Sequence, residues 1–92
     1  MARLATTARA AFIAAHPDWE IDGETLRRTF EFDDFAHAMA FVTRTAIAAE
    51  RADHHPDIDV RWNRVTLALS THSAGALTAL DTALAAEIDG FA

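Results

Sequence analysis

Three of the five histidines lie in two short polar segments, and these segments carry most of the chain's capacity for chemistry. They are Glu50-Arg51-Ala52-Asp53-His54-His55-Pro56 and Ser70-Thr71-His72. The sequence contains no Cys, Tyr or Lys, which excludes a thiol nucleophile, a phenolic acid and a Schiff-base lysine. Histidine is the side chain whose ordinary pKa lies near neutral pH. The two segments therefore predict acid–base chemistry if the fold brings them together.

The composition indicates one small domain over residues 1–92. Hydrophobic residues make up 51% of the chain and charged residues 24%, which is ordinary for a protein with a single core. The net charge is -6 and the arginines are scattered, so nucleic-acid binding is disfavoured because phosphate recognition needs a basic patch. No apolar run approaches the roughly 20 residues of a membrane span. Because Cys is absent and no signal peptide is evident, we expect a cytoplasmic protein without a membrane partner.

Hydrophobic periodicity predicts the elements that position the two segments. Apolar residues spaced by three and four indicate helices, and strict alternation indicates strands. We expect an α+β fold in the order α-β-β-α-β-β-α, with a four-stranded antiparallel sheet and helices packed on one face. The predicted strands cover 19–22, 25–32, 58–62 and 65–70, and the helices cover 3–15, 33 to the 53–56 segment, and 78–90. The apolar stripe of the central helix is predicted at Phe35, Met39, Val42, Ala46 and Ala49, and that of the last helix at Leu80, Leu84 and Ile88.

The register of the second hairpin decides whether the two histidine segments meet. Asn tolerates a positive φ, so Asn63-Arg64 is the predicted two-residue turn. Val60 then faces Leu67, and extending the ladder places His55 near His72. Opposed residues have Cβ atoms about 5 Å apart. The register therefore predicts one site that contains His54, His55 and His72. Glu50 lies one helical turn before His54, on the same face if the helix lasts that long.

Three interpretations of this cluster remain open from the residues alone. The first is a solvated polar loop at a helix end. The second is a zinc site, in which three imidazoles and a water complete the coordination. The third is metal-free general acid–base catalysis, in which one imidazole gives a proton to a leaving group and another takes a proton elsewhere. Each well-placed proton transfer contributes on the order of 10²–10⁴ in rate.

The combined motif resembles the pterin-4a-carbinolamine dehydratases, also described as dimerisation cofactors of a homeodomain transcription factor. The resemblance extends from about Trp19 to Ile88, and His-His-Pro alone would not be specific. One departure is Gly75-Ala76-Leu77-Thr78, where the family pattern has Gly-Leu-Thr. Ile58 also stands where some members have an aromatic residue. The matching positions are Glu50, His54-His55-Pro56, Trp62, Ser70-Thr71-His72 and Gly75 through Asp81.

The resemblance implies an enzyme that dehydrates 4a-hydroxytetrahydrobiopterin to the quinonoid dihydropterin during tetrahydrobiopterin recycling. It implies no cofactor and no metal. His54 and His72 would be the acid–base pair, with Glu50 holding an imidazole in one tautomer. His55 would bind or orient the pterin. The implied substrate-binding set is His55, Pro56, Ser70 and Thr71, and the implied structural or supporting carboxylates are Asp53 and Asp81.

The resemblance and the sheet also predict partners. The expected ligand is a pterin, in a pathway that includes an aromatic amino acid hydroxylase. Unpaired sheet edges invite pairing with another copy, and the family forms dimers and tetramers, so we expect a homodimer or homotetramer. An alternative is a non-catalytic dimerisation or assembly module on the same fold. That module would be expected to relax the histidine motif, which is intact here.

Overall fold

The predicted element order is confirmed in the computed structural model, which describes residues 1–92. Three helices and four antiparallel strands alternate as α-β-β-α-β-β-α, and the strands form one sheet in the order β1-β2-β4-β3. The edges of the sheet are therefore β1 and β3. The elements are α1 (Thr6–Ala15), β1 (Glu20–Asp22), β2 (Thr25–Glu31), α2 (Phe35–Ala52), β3 (Asp57–Arg61), β4 (Arg64–Leu69) and α3 (Ala79–Asp89).

The core lies on one face of the two central strands. Alternation along β2 buries Leu26 and Phe30, and alternation along β4 buries Val65, Leu67 and Leu69. The alternate residues, Arg27 and Thr29 of β2 and Thr66 and Ala68 of β4, point to the other face, as the period of two requires. None of the three helices combines the length and apolar character needed to cross a lipid bilayer.

The buried face of the central helix is rotated from the predicted stripe and shares with it only Ala49, which is buried, and Val42, which packs at the margin of the core. Of the predicted stripe, Phe35 is 53% exposed and Met39 is 38% exposed. Phe41 is fully buried instead, with its ring centroid 4.6 Å from that of Phe30 and 5.0 Å from that of Phe32. The aromatic contacts fix the rotation of α2, because a large ring fills more of the core than Met or Val. The buried positions are Ala38, Phe41, Thr45, Ala48 and Ala49.

The predicted register of the second hairpin is wrong by two residues. Arg61 pairs with Arg64, so the turn is Trp62-Asn63, with Trp62 at a φ of 51°. Asn63 is fixed by the end of β2: its Nδ2 donates to the Phe32 carbonyl at 2.8 Å, and the Phe32 N–H donates to the Asn63 carbonyl at 2.9 Å. A shift of two preserves the faces of the strand. Extending the observed ladder places His55 opposite Ser70 and His54 opposite Thr71.

A partly buried carboxylate joins the first helix to the last. Asp89, near the end of α3, accepts a hydrogen bond from Trp19 Nε1 at 2.8 Å and from Arg28 at 2.8 Å. Its other oxygen lies 2.6 Å from His16 Nδ1, at the end of α1. The guanidinium of Arg28 also lies 4.1 Å from the centre of the Phe30 ring. His16 therefore helps to hold the end of α1 against the end of α3.

The N-terminal segment is held to the β1–β2 turn by Glu24. Its carboxylate accepts hydrogen bonds from Arg3 at 3.1 Å, from Arg9 at 2.7 Å and from the Leu77 N–H at 3.1 Å. The hydrogen bond from Arg3, followed by that from Arg9, lowers the pKa of Glu24 from 4.5 to about 2. The Leu4 N–H also donates to the Leu77 carbonyl at 2.8 Å. These contacts connect the chain start to the segment that enters α3.

The Glu24 contacts predict a specific pH dependence of stability. A carboxyl whose pKa is lowered by folding stabilises the native state fully above its unfolded pKa, and this contribution is lost as the pH falls toward the folded value. We expect Glu24→Gln to lower the Tm at pH 6, and the difference from wild type to narrow between pH 5 and pH 3. Differential scanning calorimetry measures both. Glu20→Gln, at an exposed strand position, is the control; a Glu24→Gln difference that stays constant over this range would contradict the assignment.

Candidate active site

The end of α2 turns His54 into the protein. The helix ends at Ala52, and Asp53 takes a left-handed conformation with a φ of 49°. The His54 N–H then donates to the Ala49 carbonyl at 3.1 Å, which satisfies one of the free carbonyls at the helix end. Aspartate tolerates this conformation better than most residues. The reversal directs His54 inward, so that the residue is only 9% exposed.

Inside the protein, His54 meets a fully buried carboxylate. Its Nε2 lies 2.5 Å from Asp81 Oδ1. The second oxygen, Oδ2, accepts from the Thr71 hydroxyl and from the Thr78 N–H, each at 2.9 Å. Because a carboxylate only accepts, this contact assigns the proton to Nε2 of His54. Nδ1 is then the nitrogen free to exchange a proton with a bound molecule.

Asp81 also caps the last helix. Thr78 is the N-cap of α3, and Asp81, three residues later, completes a capping box. The Thr71 and Thr78 hydroxyls lie 2.7 Å apart. The positive end of the helix dipole favours a negative charge at this position. Asp81 therefore has a structural role, as predicted, and it also contacts His54 directly. A capping pattern alone does not predict this contact.

His55 faces the opposite way and contacts Glu50. Its Nε2 lies 2.7 Å from Glu50 Oε1, and both side chains are more than half exposed. The expectation that Glu50 shares the face of His54 is wrong, because the helix ends before His54 and Asp53 reverses the chain. Glu50 can fix the orientation of an imidazole, but the imidazole is that of His55.

His72 begins a tight turn between β4 and α3. Thr71 and Ala76 form an isolated antiparallel bridge, and the Gly75 N–H donates to the His72 carbonyl at 3.1 Å. Gly75 has a φ of 61°, a conformation that glycine adopts without steric cost. The buried Ala76, which is the departure from the family pattern, belongs to this bridge. The turn leaves the His72 side chain exposed at the end of the sheet.

The three imidazoles line one polar cleft of about 260 Å³ at the end of the sheet. Of the predicted site residues, Glu50, Pro56 and the buried Asp81 do not line it. Ser73 and Leu80 line it although no motif selects them, because one belongs to the turn after His72 and the other to the first turn of α3. The lining residues are Asp53, His54, His55, Ser70, Thr71, His72, Ser73 and Leu80.

No group of three or more His, Asp or Glu side chains is arranged to hold one metal ion. His54 Nε2 is turned to Asp81, whereas His55 Nε2 is turned to Glu50. The two adjacent rings therefore contact different carboxylates. The residues present do not fit the zinc interpretation left open by the sequence.

Sequence comparison identifies the family. The family model described as "Pterin 4 alpha carbinolamine dehydratase" matches residues 2–91. The chain belongs to this family. A relative from Chloroflexus aurantiacus, provisionally named pterin-4-alpha-carbinolamine dehydratase, is 53% identical over 89 residues, which cover 97% of this chain and 96% of the relative. A relative from Nocardia farcinica with the same provisional name is 55% identical over 76 residues, covering 83% and 80% of the two chains.

Two solved structures resemble this dehydratase-family fold. A protein from Brucella melitensis described as a transcriptional coactivator/pterin dehydratase superposes with a TM-score of 0.91 at 34% identity, covering 97% of both chains. A pterin dehydratase-like protein described as a RuBisCO assembly factor in the alpha-carboxysome superposes with a TM-score of 0.64 at 25% identity, covering 78% of this chain and 83% of that one. The resemblance to the family deduced from the histidine motif is thereby confirmed.

The Asp81 contacts predict that this one side chain both orients His54 and stabilises the fold of this dehydratase-family protein. Asp81→Asn replaces an acceptor of three hydrogen bonds by an amide, which leaves buried donors unpaired. We expect the free energy of unfolding to fall by roughly 3 kcal/mol, measured by urea denaturation. Asp53→Asn is the matched control, because its exposed side chain and left-handed backbone suit Asn, and we expect a change below about 0.5 kcal/mol. Equal midpoints for Asp81→Asn and wild type would contradict the network.

Proposed function

We propose that the protein dehydrates a 4a-hydroxytetrahydropterin to the quinonoid dihydropterin. The observation that carries this proposal is the cleft lined by three imidazoles, one of which is held by a buried carboxylate. Fixed orientation matters because a proton is transferred efficiently only when donor and acceptor are held within hydrogen-bond reach. The family membership supports the same reaction class.

The reaction needs one acid and one base and changes no oxidation state overall. The hydroxyl on C4a takes a proton and leaves as water. The proton on N5 is removed, and its electron pair forms the new C4a–N5 double bond. In the proposal, His54 and His72 perform these two transfers from opposite parts of the cleft wall. His55, held by Glu50 at 2.7 Å, orients the pterin with Ser70 and Thr71.

The biological setting follows from the substrate. A 4a-hydroxytetrahydropterin is a product of pterin-dependent oxygenation, so a hydroxylase of aromatic amino acids is the class of enzyme that supplies it. We place the protein in tetrahydrobiopterin recycling, without a cofactor of its own. A cytoplasmic location, where such hydroxylation takes place, belongs to the same proposal.

Substitution of the two histidines tests the catalytic proposal. We expect His54→Ala and His72→Ala each to slow dehydration by roughly 10²–10⁴, measured by stopped-flow absorbance on a synthetic 4a-hydroxytetrahydropterin. His37→Ala is the control, because His37 is exposed on α2 and contacts only Asp34. Circular dichroism checks that each variant is folded. Full activity in both site variants would overturn the proposal.

The alternative function is a non-catalytic assembly or dimerisation module. It is favoured by the similarity to the RuBisCO assembly factor and by exposed apolar side chains on α2, where Phe35 is 53% and Ile47 is 57% exposed. A purified protein that neither binds a pterin nor dehydrates the carbinolamine would favour this module over the enzyme.

Self-association is common to both proposals. The edge strands β1 and β3 have one side without a partner strand, and unpaired edges favour pairing with a second copy. We expect sedimentation velocity at micromolar concentration to give a species of twice or four times the chain mass of 10.0 kDa. A single species at the chain mass would contradict this expectation.

A further inference from the structure

A second, smaller cleft continues from the first around the end of the sheet. It has a volume of about 60 Å³. His55, Ser70 and His72 line both clefts, so the two spaces share one wall. The residues that line only the smaller cleft are Thr25, Asp57, Ala68 and Leu69.

The small side chain of Ala68 leaves the space for this cleft. Ala68 pairs with Asp57 of β3 on one side and with Arg27 of β2 on the other. Paired residues in neighbouring strands project to the same face, so a methyl group lies between a carboxylate and a guanidinium. Arg27 contacts Asp22 at 3.6 Å and not Asp57. A larger side chain at position 68 would fill the space between Asp57 and Arg27 and close the cleft.

Asp57 is the charged acceptor in this cleft. Its carboxylate makes no ion pair within the chain, whereas Asp59, two residues along the same face of β3, contacts Arg61 at 3.3 Å. The Asp57 side chain therefore lines the cleft with no hydrogen-bond or ion-pair partner within the chain, so that its carboxylate is available to accept hydrogen bonds. An ionised carboxylate accepts two parallel hydrogen bonds from a forked donor.

A pterin carries such a donor. Its pyrimidine ring ends in N3–H and the 2-amino group, which are two parallel donors arranged like those of a guanidinium. This edge lies on the far side of the pyrimidine ring from N5. When a flat pterin ring lies between His55 and His72, its reacting atoms face His54 in the larger cleft. The opposite end of the ring, which carries the pyrimidine edge, then extends toward the smaller cleft.

We propose that Asp57 is a specificity-determining residue that selects ligands with a 2-amino-4-oxopyrimidine edge. The inference rests on the proposed function, since it assumes that the larger cleft binds a pterin. It adds a residue outside the histidine motif, and it names the part of the substrate that this residue reads. Asp57 takes no part in proton transfer.

Binding of two ligands that differ at one position tests this role. 7,8-Dihydropterin has a 2-amino group, and 7,8-dihydrolumazine has a 2-oxo group in its place; both are followed by fluorescence titration. We expect wild type to bind dihydropterin more tightly, by roughly tenfold, as the loss of a charge-assisted hydrogen bond predicts. Asp57→Asn should remove most of this preference, and should raise KM for the carbinolamine while leaving kcat nearly unchanged.

Asp59→Asn is the matched control, because it removes a carboxylate from the same strand face without touching either cleft. It should keep the wild-type preference. If Asp57→Asn keeps the preference as well, the role of Asp57 is overturned while the proposed function stands. If wild type binds neither ligand, the proposed function itself fails, and the inference falls with it.

Discussion

The buried carboxylate of Asp81 is the group on which the site and much of the fold depend. Its side chain is fully buried, and burying a charge is costly unless hydrogen bonds replace the lost water. Three donors do so, from His54, Thr71 and Thr78. They come from the end of α2, the end of β4 and the start of α3. One carboxylate thus joins three elements and fixes the His54 imidazole at the point where they meet.

Two adjacent histidines have different surroundings. His54 and His55 follow each other directly after the left-handed residue Asp53, and both line the larger cleft. One ring meets the buried Asp81 and the other meets the exposed Glu50. The first is held rigidly by packing, whereas the second is screened by solvent and can adjust to a ligand. The candidate site therefore combines one imidazole of fixed orientation with one that remains exposed to solvent.

Local patterns predicted the elements, but contacts between elements decided the details. Alternation and helical spacing are properties of neighbouring residues, and they predicted the four strands and three helices in the correct order. The hairpin register depended on Asn63 bonding to Phe32 across the sheet, which no hairpin rule contains. The rotation of α2 depended on where Phe41 packs. The register error did not change which side chains share a face of the sheet, because a shift of two residues keeps every side chain on its face.

The two clefts and the exposed apolar residues of α2 lie on separate parts of the molecule. The clefts lie at the end of the sheet, between the strand termini and the start of α3. The exposed apolar residues Phe35 and Ile47 lie on α2 and line neither cleft. A substitution on that helix face can therefore change the assembly without touching His54 or Asp81, and the histidines can change without altering that face. Because the two surfaces share no residue, variants of Phe35 or Ile47 and variants of His54 or His72 examine the assembly module and the enzyme one at a time.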